Sequence, residues 1–282
     1  MKLRWREWGS SDGIPVLLLH GHPGDANCMA VFAEALQHRC RLVAPDLRGY
    51  GSSRTEQPFA MSDHLQDVTE LLDQLQLGPC LVLGWSLGGI LAVELALRDA
   101  VPHTSQLVTS QRVRGLILVA SAAHPVGDHP PTDLWDQVNT GIAALLNLVF
   151  PGWPWVIDTF GRRSLFRYLI QQHTPDAYRY LASSAVPAYW NTSSHARQAL
   201  SQALRQGYNR LGELAQIEVP ALVMAAAHDR HITPAASHKT AQALPQADWI
   251  LYPNVAHLFP WEIPSQVQQD ILAWIERFRD PV

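Results

Sequence analysis

A serine bracketed by glycines, Gly84-Trp85-Ser86-Leu87-Gly88, follows the aliphatic run Leu81-Val82-Leu83 and precedes apolar residues at Leu87, Ile90, Leu91 and Leu95. The first run reads as a buried strand and the second as one face of a helix. A strand that becomes a helix within so few residues must bend sharply at Ser86. Small residues two before and two after the bend let strand and helix approach closely, and the hydroxyl is pushed out beside the helix N-terminus. A serine hydroxyl is a weak nucleophile at neutral pH. It needs an imidazole to take its proton, a carboxylate to hold that imidazole in one tautomer, and N–H donors for the oxyanion that attack creates. The chain offers Asp229 in Ala226-Ala227-His228-Asp229-Arg230, and His257 in Pro253-Asn254-Val255-Ala256-His257-Leu258. Each lies just past an apolar run, and the order is serine, acid, histidine.

The elements that must position these residues alternate. Strands are expected at Trp5–Trp8, Val16–His20, Cys40–Pro45, Leu81–Leu83, Val113–Val119, Pro220–Ala225 and Trp249–Tyr252. Helices are expected at Ala26–Leu36, after Ser62 as a cap, after Ser86, at Pro234–Leu244 and from Pro264 to Arg279. This alternation implies an α/β fold built on a doubly wound, mostly parallel sheet. Ligands in such sheets sit outside the C-terminal strand ends, where Ser86, Asp229, His257 and the loop His20-Gly21-His22-Pro23-Gly24 all fall. Between Val119 and Pro220 the strand runs stop. The polar stretch Asp99–Arg112 is a long connection, and residues 123–211 read as a helical insert rich in aromatics, placed between two parts of a core, 1–122 and 212–282.

The bulk composition excludes several function classes. In 282 residues, 47% are hydrophobic and 16% charged, which is ordinary for a globular chain. The net charge of −4 leaves no basic footprint for nucleic acid. No apolar run is long enough for a membrane span, and the first residues show no apolar signal segment. Three cysteines, Cys28, Cys40 and Cys80, without CxxC spacing read as reduced thiols, so a cytoplasmic location is expected. His228 and His231 flank Asp229, but no third ligand has suitable spacing, so no metal is expected.

Taken together, Leu18-Leu19-His20-Gly21-His22-Pro23-Gly24, Pro45-Asp46-Leu47-Arg48-Gly49-Tyr50-Gly51, Gly84-Trp85-Ser86-Leu87-Gly88-Gly89, Asp229 through Pro234 and Ala256-His257 resemble the α/β-hydrolase superfamily, in its capped, esterase-like branch. The resemblance covers about the first 121 residues and the last 70. It implies catalytic roles for Ser86, Asp229 and His257, and an oxyanion hole made by the backbone N–H groups of His22 and Leu87. It places the insert where that superfamily has its variable cap. His20, Asp46 and Arg48 are expected to hold their loops, while Trp85 and His124 are candidates for the pocket wall. Leu145, Leu146, Leu148, Trp153 and Trp155 are expected to roof an apolar pocket over Ser86.

The function that follows is a serine hydrolase acting, without cofactor or metal, on a carboxylic ester or related acyl bond of a small apolar substrate. Carbon–carbon bond hydrolases, lactonases and cofactor-free perhydrolases share the same triad. A small-molecule receptor with incidental turnover is the alternative from another class. The elbow is similar to that of pimeloyl-carrier methyl ester esterases. With seven arginines against five aspartates in the insert, that likeness raises an acyl carrier protein as a partner.

Overall fold

In the computed structural model, residues 1–100, 111–128 and 130–278 are described. Seven strands form, all but the half-exposed Trp-Arg-Glu-Trp of β1 from runs rich in β-branched and aliphatic residues: β1 (Trp5–Trp8), β2 (Ile14–Leu19), β3 (Cys40–Pro45), β4 (Cys80–Trp85), β5 (Val113–Val119), β6 (Ala221–Ala226) and β7 (Ala247–Tyr252). They make one sheet in the order β1-β3-β2-β4-β5-β6-β7. β1 runs antiparallel to β3 and every other pair is parallel. β4 and β6 are buried along their whole length, as strands covered on both faces must be. The expected doubly wound, mostly parallel sheet is therefore present.

Eleven α-helices are described: α1 (Ala30–Leu36), α2 (Met61–Gln74), α3 (Leu87–Ala100), α4 (Leu134–Val149), α5 (Pro154–Thr159), α6 (Pro175–Tyr180), α7 (Val186–Trp190), α8 (Ser194–Arg205), α9 (Pro234–Ala243), α10 (Phe259–Glu262) and α11 (Pro264–Ile275). The period-two pleat sorts side chains between two cores. Val16 and Leu18 join Phe32, Ile271 and Trp274 on one face. Leu17 and Leu19 join Val68, Leu72, Leu91 and Leu95 on the other.

Residues between β5 and β6 contain helices and turns but no strand among those described. Arg210 N–H donates to Ala123 O (2.8 Å), so the two ends of this segment meet. Its Phe166, Ile170, Tyr178 and Leu181 extend the first core beyond the sheet.

Ser62 does not cap α2. The helix begins one residue earlier, at Met61; its N-cap, Ala60, has no capping side chain, and Asp63 in the first turn accepts from the Ala60 backbone N–H (2.8 Å). Most of the polar connection from Asp99 to Arg112, and the end of the last helix at Arg279, lie outside the described residues.

Candidate active site

β4 hands over to α3 at Ser86, which holds φ = +53°. That left-handed conformation is strained for any residue with a Cβ. The surroundings enforce it. Ser86 N–H donates to Val119 O (2.9 Å), and its carbonyl accepts from Gly89 N–H (3.0 Å) and Ser121 Oγ (2.8 Å). A Cβ on Gly84 would collide with the Gly88 carbonyl, and one on Gly88 with the Leu19 carbonyl. Both glycines are therefore required by the closeness of the helix to β2 and β4, as the G-x-S-x-G spacing anticipates.

Asp229 and His257 lie on the loops after β6 and β7. His257 Nδ1 is 2.8 Å from Asp229 Oδ2, with both side chains nearly fully buried. The other carboxylate oxygen accepts from the backbone N–H groups of His231 (2.8 Å) and Ile232 (2.9 Å). Asp229 is thus locked on one side and aimed at the imidazole on the other, an arrangement that fixes the ring's tautomer. The His231 ring packs against that of His257, with centroids 4.7 Å apart.

Glu262, which nothing in the sequence singled out, sits beneath this loop. Its Oε1 accepts from Ala256 N–H (2.8 Å), next to His257. Its Oε2 accepts from Gln171 N–H (2.9 Å) and Gln172 N–H (2.5 Å) in the helical segment. Leu258 N–H adds a bond to Leu169 O (2.9 Å). One buried carboxylate therefore ties the histidine loop to the insert. Burial raises its pKa, partly offset by those three N–H donors. A glutamate five residues after the histidine, in an otherwise apolar run, is the signal that could have found it.

The loop after β2 faces Ser86. A Cβ on Gly21 would lie 3.2 Å from Ser86 Cβ, so a larger residue there would crowd the serine. His20 is a loop anchor, as expected: Nδ1 donates to Gly21 O (2.8 Å) and Nε2 accepts from Leu47 N–H (3.1 Å). Burial lowers its pKa, which suits a ring that must keep Nε2 as an acceptor. Asp46 accepts from Ala26 N–H and Ser52 N–H (both 2.8 Å). Arg48 makes a two-pronged pair with Asp67 (2.6 and 2.7 Å). His22 Nδ1 meets Tyr50 OH (2.8 Å). Burial, with lesser help from Arg197 and His20, pushes the His22 pKa down to about 4.

A cavity of about 710 Å³ joins these parts. Ser86, His257, His22 and Trp85 line it from the sheet side, and Gln137, Ala144, Leu145, Phe166, Leu181 and Tyr189 line it from the insert. Leu87, the first residue of α3, puts the helix N-terminus beside Ser86, where N–H groups are free of intrahelical partners. Cys28 also borders the cavity, but burial and the nearby Asp25 raise its thiol pKa, so it stays protonated. A smaller hollow of about 430 Å³ between α2, α3 and α8 contains none of Ser86, Asp229 and His257. Among the described residues no group of three or more acidic, cysteine or histidine side chains could hold a metal.

Residues 14–264 match the model of the alpha/beta hydrolase fold family. The chain belongs to this family. It is 29% identical, over 98% of its length and 67% of the relative's, to a dihydrolipoyllysine-residue acetyltransferase component of an acetoin cleaving system from Pseudomonas putida. It is 26% identical to a pimeloyl-[acyl-carrier protein] methyl ester esterase from Nitrosomonas europaea, covering 91% of this chain and 94% of that one. A thermophilic esterase from Thermogutta terrifontis superimposes with a TM-score of 0.69 at 24% identity, covering 99% and 94% of the two chains.

Within this hydrolase, two expectations about the pocket wall fail. His124 does not line the cavity. Ala123 is anchored to Thr240 Oγ1 (2.9 Å) and to Arg210 N–H, and the chain then runs beside the loop after β6, where Asp128 N–H donates to Arg230 O (2.8 Å). Of the five insert residues expected as a roof, Leu145 alone lines the cavity. Trp153 and Trp155 are exposed, packed against one another with centroids 5.2 Å apart. α4 presents to the cavity the side that carries Gln137, Thr140, Gly141 and Ala144, and these small or polar residues gave no sequence signal.

Proposed function

We propose that the protein is a serine hydrolase that cleaves the carboxylic ester of an uncharged, apolar acyl group through an acyl-enzyme. The observation that carries this reading is the His257–Asp229 bond of 2.8 Å in the wall of the cavity that also exposes the strained Ser86. Neutral His257 accepts the Ser86 proton on Nε2 as Oγ attacks the carbonyl carbon. Asp229 keeps Nδ1 protonated and stabilises the imidazolium. The oxyanion is received by the backbone N–H groups of Leu87 and His22. As the tetrahedral intermediate collapses, the imidazolium gives its proton to the departing alkoxide, which leaves as an alcohol. Water then attacks the acyl-serine, with His257 taking one proton from it and returning that proton to Oγ. The His22 side chain is not the base in this scheme, because its Nδ1 is engaged by Tyr50 and its role is to hold the loop.

The cavity supports an apolar acyl group. Phe166, Leu169, Leu181, Val186 and Trp261 line it, and among the described residues no Lys, Arg, Asp or Glu does. A charged substrate group would meet no counter-ion there. Reaction with a fluorophosphonate probe tests the mechanism. Ser86 should be the labelled residue, and Ser86→Ala should abolish labelling and lower kcat by about 10⁴-fold or more. Labelling of a different serine, or turnover retained in that variant, would remove the assignment.

A further inference from the structure

The first long helix of the insert is folded inside out. At 100° per residue, Leu134, Val138, Leu145 and Val149 of α4 fall within an arc of about 60°. All four are exposed, by 39% to 72%. The opposite face buries Asp136, Ala143 and Asn147. Polar bonds hold it there. Asp136 pairs with Arg167 (2.8 Å), Asn147 Nδ2 donates to Tyr178 O (2.5 Å), and Asn147 Oδ1 accepts from Gly152 N–H (2.8 Å). The helix cannot roll its apolar side inward without leaving those groups unpaired, which is the larger penalty. The outward face is thus a fixed feature of the surface.

That face runs into the cavity. Leu145, Tyr189 and Trp190 are exposed and also line the hollow above Ser86, so whatever covers the stripe also covers the mouth. A second copy of the chain would seal the mouth against substrate. Charge narrows the choice further. Asp136 is the one charged residue within α4, and it is buried and paired. In the same insert Arg162 and Arg179 are paired with Asp158 and Asp176. α4 itself therefore offers an acidic partner no cation. Among the described residues the single cation at the edge of the mouth, Arg197, lies over the Tyr189 ring (4.8 Å) and donates to Tyr189 O (3.0 Å). The patch is thus a neutral stripe with one cation at its edge, which matches an apolar surface carrying headgroup phosphates without net charge. Exposed indoles at Trp135, Trp153, Trp155 and Trp190 have the amphipathic character favoured where hydrocarbon meets polar headgroups.

We propose that the outward face of α4 docks the enzyme on a neutral, zwitterionic lipid surface, with the cavity mouth at the interface. With 16 residues, α4 is too short to span a bilayer, and the binding is peripheral. The docking does not depend on the ester-cleaving reading, and the test separates the two.

The full-length protein is mixed with vesicles of ether-linked phosphatidylcholine, which carries no ester bond, and bound protein is measured by flotation. The protein should float, and raising the salt from about 0.05 M to about 1 M should leave binding within about twofold. Leu134→Ser combined with Val149→Ser, neither of which lines the cavity, should weaken flotation at least about tenfold. The same double variant should keep its kcat/KM on a water-soluble short-chain ester. Four results would overturn the proposal. They are failure of the wild-type protein to float, flotation confined to anionic vesicles and lost in salt, a double variant that floats as well as the parent, and a solution dimer that the same substitutions dissociate. Loss of esterase activity with flotation intact would instead count against the proposed chemistry alone.

Discussion

The sheet end and the helical segment above it are built on opposite plans. Around Ser86 the apolar residues point inward, the strands are buried on both faces, and the chemistry-bearing groups hang from loops fixed by backbone bonds. In the segment between β5 and β6 most pieces other than α4 and α8 are short. α5, α6 and α7 have six, six and five residues, separated by 3₁₀ turns and a π turn at Leu181–Ala185. Polar residues such as Asp136, Asn147 and Ser164 are buried, while Leu134, Trp135 and Trp190 are exposed. Continuous apolar runs specify the strands and hydrogen bonds fix only the loops at their ends, whereas in the insert hydrogen bonds also set which face of a helix is buried. The consequence is a division of labour. Changes at the sheet end should act on the chemical step for every substrate, and changes in the insert should act on which substrate is used.

The largest expected effect tests the first half of that division. Asp229→Asn keeps one acceptor oxygen for the His231 and Ile232 N–H groups but presents an N–H to His257 Nδ1, favouring the wrong tautomer. kcat should fall about 10³- to 10⁴-fold, equally for short and long acyl esters. A loss that depends on chain length would mean that the acid site and the acyl site are not separate.

The contrast also explains what could be read from the sequence. The strands, the order of the site residues and the glycine spacing around Ser86 were legible because each rests on a local rule. A doubly buried strand needs a continuous apolar run, and a strand–helix bend this tight needs Gly84 and Gly88. The insert was not legible at the level of side chains. Apolar residues at helical spacing were expected to face the pocket, and in α4 they face outward because Asp136 and Asn147 find partners only on the inner side. Glu262 was missed for a similar reason. Its three N–H partners, from Ala256, Gln171 and Gln172, are 6, 91 and 90 residues away in sequence. His124 follows a strand end, as Ser86 does. Its chain, however, is drawn off toward α9 by the Ala123–Thr240 bond.

Acid should unsettle both regions, and the sheet side carries more of the effect. His22 and His64 beside the sheet, and His173 in the insert, all have pKa values pushed down to about 4, chiefly by burial. Unfolding returns each to its ordinary 6.5. The unfolded chain therefore binds more protons between those values, and stability is present above pH 6.5 and lost as pH falls toward about 4. His64 is fully buried, and neither ring nitrogen has a partner among the described residues. It lies between Tyr50 and Phe59. His64→Phe should stabilise the fold at neutral pH by about 1–3 kcal/mol and flatten the acid slope. Urea midpoints at about pH 7 and about pH 5 measure both. An unchanged slope would show that His64 does not titrate in this window.

Glu262 joins the two regions, so its removal should blur the distinction between them. Glu262→Gln retains shape but sets an amide N–H against one of the backbone donors, at Ala256 or at Gln171 and Gln172. kcat should fall roughly 30- to 100-fold, with KM changed as well because the insert loses its tie to the histidine loop. Glu262→Asp should recover part of the loss by restoring the charge. A variant with wild-type kcat and altered KM would mean that the bond serves the insert only.

The smallest expected effect is the sharpest test of the division. Ala144 lies on the cavity side of α4 and is not one of the four residues of the outward stripe. Ala144→Val adds two carbons to the wall without adding charge. A long acyl chain should lose about 1 kcal/mol of transition-state binding relative to a short one, roughly a fivefold change in the ratio of their kcat/KM values. Labelling of Ser86 by a small fluorophosphonate should be unaffected, because that probe occupies the sheet end of the cavity alone. Equal losses on both esters, accompanied by slower labelling, would mean that α4 positions the catalytic groups. Substrate choice would then rest with the sheet-side loops at His22 and Trp85, and the two regions would not be separable in function.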